Sequence, residues 1–101
     1  MILFLIKASV TQKDLSLDEL WEKWEAEAKI CLKAIERKKI VGAYKISGQR
    51  KVVLIYDASS HADLDQTFMS GLPLSEYVEI EEMLPIRPYQ DFAIDVQNRW
   101  K

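Results

Sequence analysis

The 101-residue sequence has one cysteine, Cys31, and one histidine, His61. A single thiol forms no internal disulfide. So few soft ligands build neither a thiolate-rich metal site nor a catalytic triad, so no metal is expected. Glycine and proline number three each, too few for long loops or a low-complexity linker. Positive charge is not in excess: 14 Lys and Arg stand against 16 Asp and Glu, a formal net charge of −2. Nucleic-acid binders carry a basic surplus, so no nucleic-acid partner is expected. No apolar run approaches the roughly 20 residues of a membrane span. The run Ile2–Ile6 stops at Lys7 and lacks the leading basic segment of a secretion signal. The cytoplasm is therefore the expected location, with no membrane contact.

What is present reads as one domain with two helices among four strands. Residues 1–10 are almost continuously apolar, as in a strand covered on both faces. Residues 14–39 carry Leu17, Leu20, Trp21, Trp24, Ala28, Cys31, Leu32 and Ile35 at helical spacing. Ser16 and Glu19 have the spacing of a capping box. Acidic residues crowd the first half of this helix, and Lys33, Arg37, Lys38 and Lys39 sit near its end, as the helix dipole favours. Ile40 to Ile46 and Lys51 to Tyr56 read as strands joined by a hairpin turn at Ser47-Gly48-Gln49-Arg50. Ser59 or Ser60 can cap a second helix that carries Leu64 and Phe68 inward and ends at Gly71. Glu76 to Met83 alternates Val78 and Ile80 with Glu79 and Glu81, which suits an edge strand with one wet face. Pro85 and Pro88 are expected to bracket a short turn.

The order strand–helix–strand–strand–helix–strand predicts an α+β, ferredoxin-like βαββαβ fold: a four-stranded antiparallel sheet with two helices on one face. The domain is read as residues 1–88. Residues 89–101 form a C-terminal tail whose Phe92, Ile94, Val96 and Trp100 are expected to pack on the domain or on a neighbouring subunit. Two strands apolar on both sides need cover on the helix-free face. The expectation is a homodimer or larger homo-oligomer, packed sheet to sheet.

Several residues can carry chemistry. Glu27 lies at the edge of the first helix's apolar stripe. A carboxylate half-buried there has a raised pKa, which suits a general base; a solvated flank residue is the other reading. Lys7 can stabilise an enolate by charge or simply stay wet at the sheet's end. Tyr44 and Tyr56 can donate to a carbonyl oxygen or serve as strand packing. Arg87 can bind a carboxylate as a fork or form a salt bridge. His61 falls in the first turn of the second helix, as a substrate contact or a bystander. Trp24 reads as pocket wall or core. Cys31 reads as a buried, inert thiol.

The segments Tyr44-Lys45-Ile46-Ser47-Gly48, Tyr56-Asp57-Ala58-Ser59, Leu72-Pro73-Leu74, Tyr77-Val78-Glu79-Ile80-Glu81 and Arg87-Pro88 resemble the muconolactone delta-isomerase family. The strand ending in Lys7 fits the family's opening. The likeness spans residues 1–88. It implies a dimeric α+β barrel, sometimes built into decamers. It also implies a double-bond shift in a small unsaturated lactone, made by moving a proton without metal or organic cofactor. It favours Glu27, where the family tends to place an acidic residue or histidine. The sequence departs from the family near Leu5, Gln49 and Asp65, where family histidines are missing.

Two main functions follow, and a cofactor-free oxygenase on the same dimeric scaffold is a third. One is a cofactor-free isomerase or cyclase that moves a proton next to a carbonyl in a small unsaturated lactone or enone. Glu27, Tyr44 and Lys7 would be catalytic, with Trp24, Gln49, Tyr56, His61 and Arg87 binding substrate. The other is a non-catalytic ligand-binding or assembly module on the same fold.

Overall fold

Ser16 breaks the extended chain and starts the first helix. Its hydroxyl accepts from the Glu19 N–H at 3.1 Å, and the Glu19 carboxylate accepts from the Ser16 N–H at 3.0 Å. This reciprocal cap sets the start of α1, Leu17–Glu36. The computed structural model describes residues 2–101, so Met1 of the expected first strand lies outside the described residues. The remaining elements are β1 (Ile2–Val10), β2 (Ile40–Ile46), β3 (Lys51–Ala58), α2 (His61–Met69), a 3₁₀ turn at Ser75–Tyr77, β4 (Val78–Ile86) and α3 (Tyr89–Asn98). The strands form one antiparallel sheet in the order β2-β3-β1-β4. This is the expected α+β, ferredoxin-like arrangement.

The pleat divides the residues of each strand between two faces. Phe4, Ile6, Ala8 and Val10 of β1 face the helices, beside Leu54, Tyr56 and Ala58 of β3. Leu3, Leu5 and Lys7 face the other way, opposite Asp57, Ile55 and Val53. Two register shifts interrupt the alternation. One lies in β2 between Ile40 and Gly42; the other lies where β4 passes Lys7 and Ala8. Each places an extra residue in one strand and reverses which side chains face the helices beyond it.

The core is small and divided. Ile6, Ile40, Tyr56, Ala58 and Leu64 form one cluster; Val10, Leu20 and Leu74 form the other. Of the expected α1 stripe only Leu20 is fully buried; Leu17, Trp21, Leu32 and Ile35 stay substantially exposed. The helix therefore lies over the sheet without closing on it, and a hollow remains beneath.

Several boundaries differ from expectation. The first helix is shorter than residues 14–39, and the fourth strand starts at Val78 and runs to Ile86, not from Glu76 to Met83. Pro85 does not bracket a turn: it lies within β4, opposite Phe4. An edge strand tolerates proline because one side of it needs no donor. The second helix ends at Met69, and Gly71 follows where a Cβ would come within 2.7 Å of the Gln66 carbonyl oxygen. Residues after Pro88 are helical. None of α3 is buried, and its Ile94 and Val96 are exposed, as is Trp100 just beyond it. With this helix the chain has a Cα radius of gyration of 15.8 Å, against about 13 Å for a compact 100-residue domain.

Candidate functional site

One helical turn separates Trp24, Glu27 and Cys31, so all three share a face of α1. That face roofs a cavity of about 360 Å³. Its floor is the helix side of the sheet, with Ile6, Ala8, Leu54 and Ile80; Phe68, Leu72 and Leu74 close one side. Glu27 is the one carboxylate among the described lining residues. Its Oε1 accepts a hydrogen bond from the Leu74 backbone N–H at 3.1 Å. Burial raises its pKa above the ordinary glutamate value, and the Leu74 N–H opposes the rise only in part. Burial, and then the Glu27 charge, pushes the Cys31 thiol up as well. The cavity thus offers a half-buried carboxylate held by one donor, with a thiol beside it.

A family model described as muconolactone delta-isomerase matches residues 2–92. The chain belongs to the muconolactone delta-isomerase family. The match takes in all four strands, both sheet-covering helices and the Glu27 cavity, and it ends within α3. Family membership points to an isomerase-type role. No curated protein matches the chain.

This muconolactone delta-isomerase family member brings together some of the residues singled out in its sequence and separates others. Trp24 lines the Glu27 cavity. Tyr44 lies on the cavity's strand wall, but it pairs with Val53, and its ring stands on the far face near Ile55, 68% exposed. The bulge between Ile40 and Gly42 causes this. Without it Tyr44 would share the face of Ile40; with it, Ala43 and Lys45 do. Lys7 is also on the helix-free face, 3.7 Å from Glu81, which bridges to Lys51 at 3.0 Å. The structure therefore does not bring Lys7 or the Tyr44 hydroxyl to Glu27. His61 opens α2 in an exposed position and lines neither this cavity nor its neighbours. Arg87 pairs with Asp95 at 2.6 Å and stacks over Phe92, so it braces α3. Gln49 lies in the hairpin turn, on a groove outside the cavity.

Tyr56 is buried and committed. Its hydroxyl donates to Asp63 Oδ1 at 2.9 Å and lies 3.0 Å from the Thr67 hydroxyl. Asp63 also accepts from Lys39 Nζ at 2.6 Å and from the Ser59 N–H at 2.9 Å. Partial burial works against the Asp63 charge, but these bonds outweigh it and hold the carboxyl well below the usual carboxylate range. This cluster borders a second hollow of about 480 Å³, which Glu27 also reaches. The cluster is a brace that ties β3 and the start of α2 to the turn joining α1 to β2. Losing one charged hydrogen bond of this kind costs about 1–2 kcal/mol after allowance for solvent. Asp63→Asn should therefore lower the melting temperature by several degrees at pH 7. The folded pKa is depressed, so this stability is present above the unfolded value, near pH 4, and is lost as pH falls through the folded one. The gap between parent and variant should start to narrow below pH 4 and keep narrowing toward pH 2. A gap at pH 2 equal to that at pH 7 would rule the charge out as the cause.

Two contributors were not singled out in the sequence. Lys45 lines the cavity from β2, on the same face as Ala43, with its Nζ resting on the Ile46 carbonyl at 2.7 Å. The Leu74 N–H holds Glu27. Lys45 follows from the alternation once the bulge is placed. A backbone donor in a loop leaves no side-chain signal.

Proposed function

We propose that this chain is an isomerase that moves a proton next to a carbonyl in a small unsaturated lactone or enone, with Glu27 carrying the proton. The observation that supports it is the half-buried Glu27 carboxylate, the one acid among the described residues of a mostly apolar cavity and tied to one backbone donor. Glu27 removes a proton from the carbon beside the carbonyl, and the C–H electrons move into the carbonyl to give an enolate. The same carboxyl then returns the proton two carbons further along, and the double bond migrates with no net change in atoms or charge. A lone proton shift needs a base, a donor for the oxygen and a dry pocket. Lys45 lines the same wall, and its Nζ would have to leave the Ile46 carbonyl to meet the enolate oxygen.

The test is double-bond migration in butenolides and small enones, followed by ultraviolet absorbance and by deuterium uptake from heavy water. Exchange at the carbon beside the carbonyl is the expected result. If no such compound exchanges, the ligand-binding reading replaces this one.

The same reading takes the working form to be a homodimer or larger. Leu3, Leu5, Val53 and Ile55 stand together on the face without helices, with Tyr44 and Leu84 exposed around them. Apolar residues grouped in this way favour a partner surface. Sedimentation at micromolar concentration should give a dimer or a larger species; a clean monomer overturns it.

A further inference from the structure

Beside the Glu27 cavity runs an open groove of about 610 Å³ between α1 and the β2–β3 hairpin. Trp21 and Trp24 form its helix wall, with ring centroids 5.9 Å apart and planes tilted by 34°. Gly48, Gln49 and Arg50 form its hairpin wall. Gly48 has φ of 78°, a left-handed turn conformation that glycine adopts without strain. The proton transfer proposed for Glu27 uses none of these groups. Yet Trp24, Ala28, Lys45 and Val52 line both the groove and the cavity, so one opens into the other.

Size and chemistry then limit what fits. A cavity of about 150 Å³ holds a benzene molecule. The Glu27 cavity, at about 360 Å³, takes one reacting ring with room to spare. Anything attached to that ring has an outlet past Trp24 into the groove. There it meets two indoles, of which Trp21 is 51% exposed. Indoles offer flat apolar faces that favour offset or tilted aromatic contacts over aliphatic ones.

We propose that this groove is a substrate subsite for a planar aromatic substituent, so that the substrate is an aryl-bearing or fused-ring unsaturated carbonyl compound. This rests on the reading of Glu27 as the proton carrier in the adjoining cavity. The reacting ring sits under α1 beside Glu27, and the aromatic part lies against Trp21 and Trp24.

Calorimetric titration of three probes tests it: an unsubstituted butenolide, its phenyl-substituted form and its cyclohexyl-substituted form. The phenyl compound should bind about tenfold more tightly than the unsubstituted one, the scale of one good aromatic contact. Trp21→Ala should remove most of that advantage and leave the unsubstituted probe within about twofold. Trp21→Phe should restore part of it. Trp21 is half exposed, so these variants keep the core intact. If the cyclohexyl compound binds as well as the phenyl compound, the aromatic class is wrong. If Trp21→Ala leaves the phenyl advantage intact, the groove is not the subsite. Binding is read without turnover. A Trp21-dependent phenyl advantage with no proton exchange would keep the subsite and remove the isomerase reading; exchange without that dependence would do the reverse.

Discussion

Glu27→Gln is expected to lower turnover by about 10²-fold or more while ligand binding stays nearly intact. The amide keeps the size of the side chain, and its oxygen can still accept from the Leu74 N–H, so the cavity wall should hold its shape. What disappears is the group that takes and returns a proton. The pH behaviour follows from the direction of its pKa. Burial raises it above the ordinary value of 4.5. The base must be ionised to act, so the acid limb of the parent's kcat/KM profile should lie above that value. Stability runs the opposite way. A carboxyl whose folded pKa is raised contributes stability that is fully present below the unfolded pKa and is lost as pH rises through the folded one. At neutral pH Glu27 therefore costs stability. Glu27→Gln should melt at the same temperature as the parent or slightly higher, with turnover gone. If the variant turns over as fast as the parent, Glu27 is not the proton carrier. If turnover and melting temperature fall together, Glu27 acts as a structural group.

Leu20→Ala should lower the melting temperature by roughly 10 °C or more. Leu20 is fully buried and forms a cluster with Val10 and Leu74, bordered by Leu15, Trp24, Tyr77 and Val78. Truncating such a leucine costs about 2–5 kcal/mol, because the lost contacts leave a void. In a domain near 100 residues each kcal/mol moves the midpoint by about 4–8 °C. The effect should reach the site. Leu74 packs on Leu20 and its N–H holds Glu27, so loosening the cluster loosens the carboxylate. Turnover measured well below the midpoint should fall too, whereas Leu20→Met, which keeps the volume, should recover most of both. A shift under about 3 °C for Leu20→Ala would mean that this cluster does not carry the fold.

Local chemistry made much of the fold legible. The Ser16–Glu19 cap, the limits of β2 and the inward positions of Leu64 and Phe68 all follow from patterns a few residues long. Glu27 was legible because helical spacing places it at the edge of the apolar stripe, beside Cys31. The misplacements trace to non-local geometry. Strand alternation counted from Ile40 points the Tyr44 ring over the cavity, but one bulged residue reverses the count, turns that ring to the far face and sets Lys45 on the helix side beside it. The sequence groups Lys7 with Glu27 as catalytic, but a continuous apolar strand does not say which of its faces holds the helices. Asp63 became visible as a hub only when the turn after α1, β3 and the start of α2 met. Proline at Pro85 suggested a turn, because whether a strand lies at the edge of a sheet is settled by pairing and not by composition.

The position of Pro85 has a further effect. β4 is an outer strand, and along it stand Glu79, Glu81 and Glu82, a bulge, and a proline nitrogen with no N–H to give. A second chain arriving alongside would meet negative charge, a kink and a missing donor in place of a regular ladder. Runaway strand addition, the route to fibres, is obstructed on that flank. The apolar wealth of this chain can therefore be concentrated on faces and on a projecting helix without turning the β4 margin into a template for aggregation.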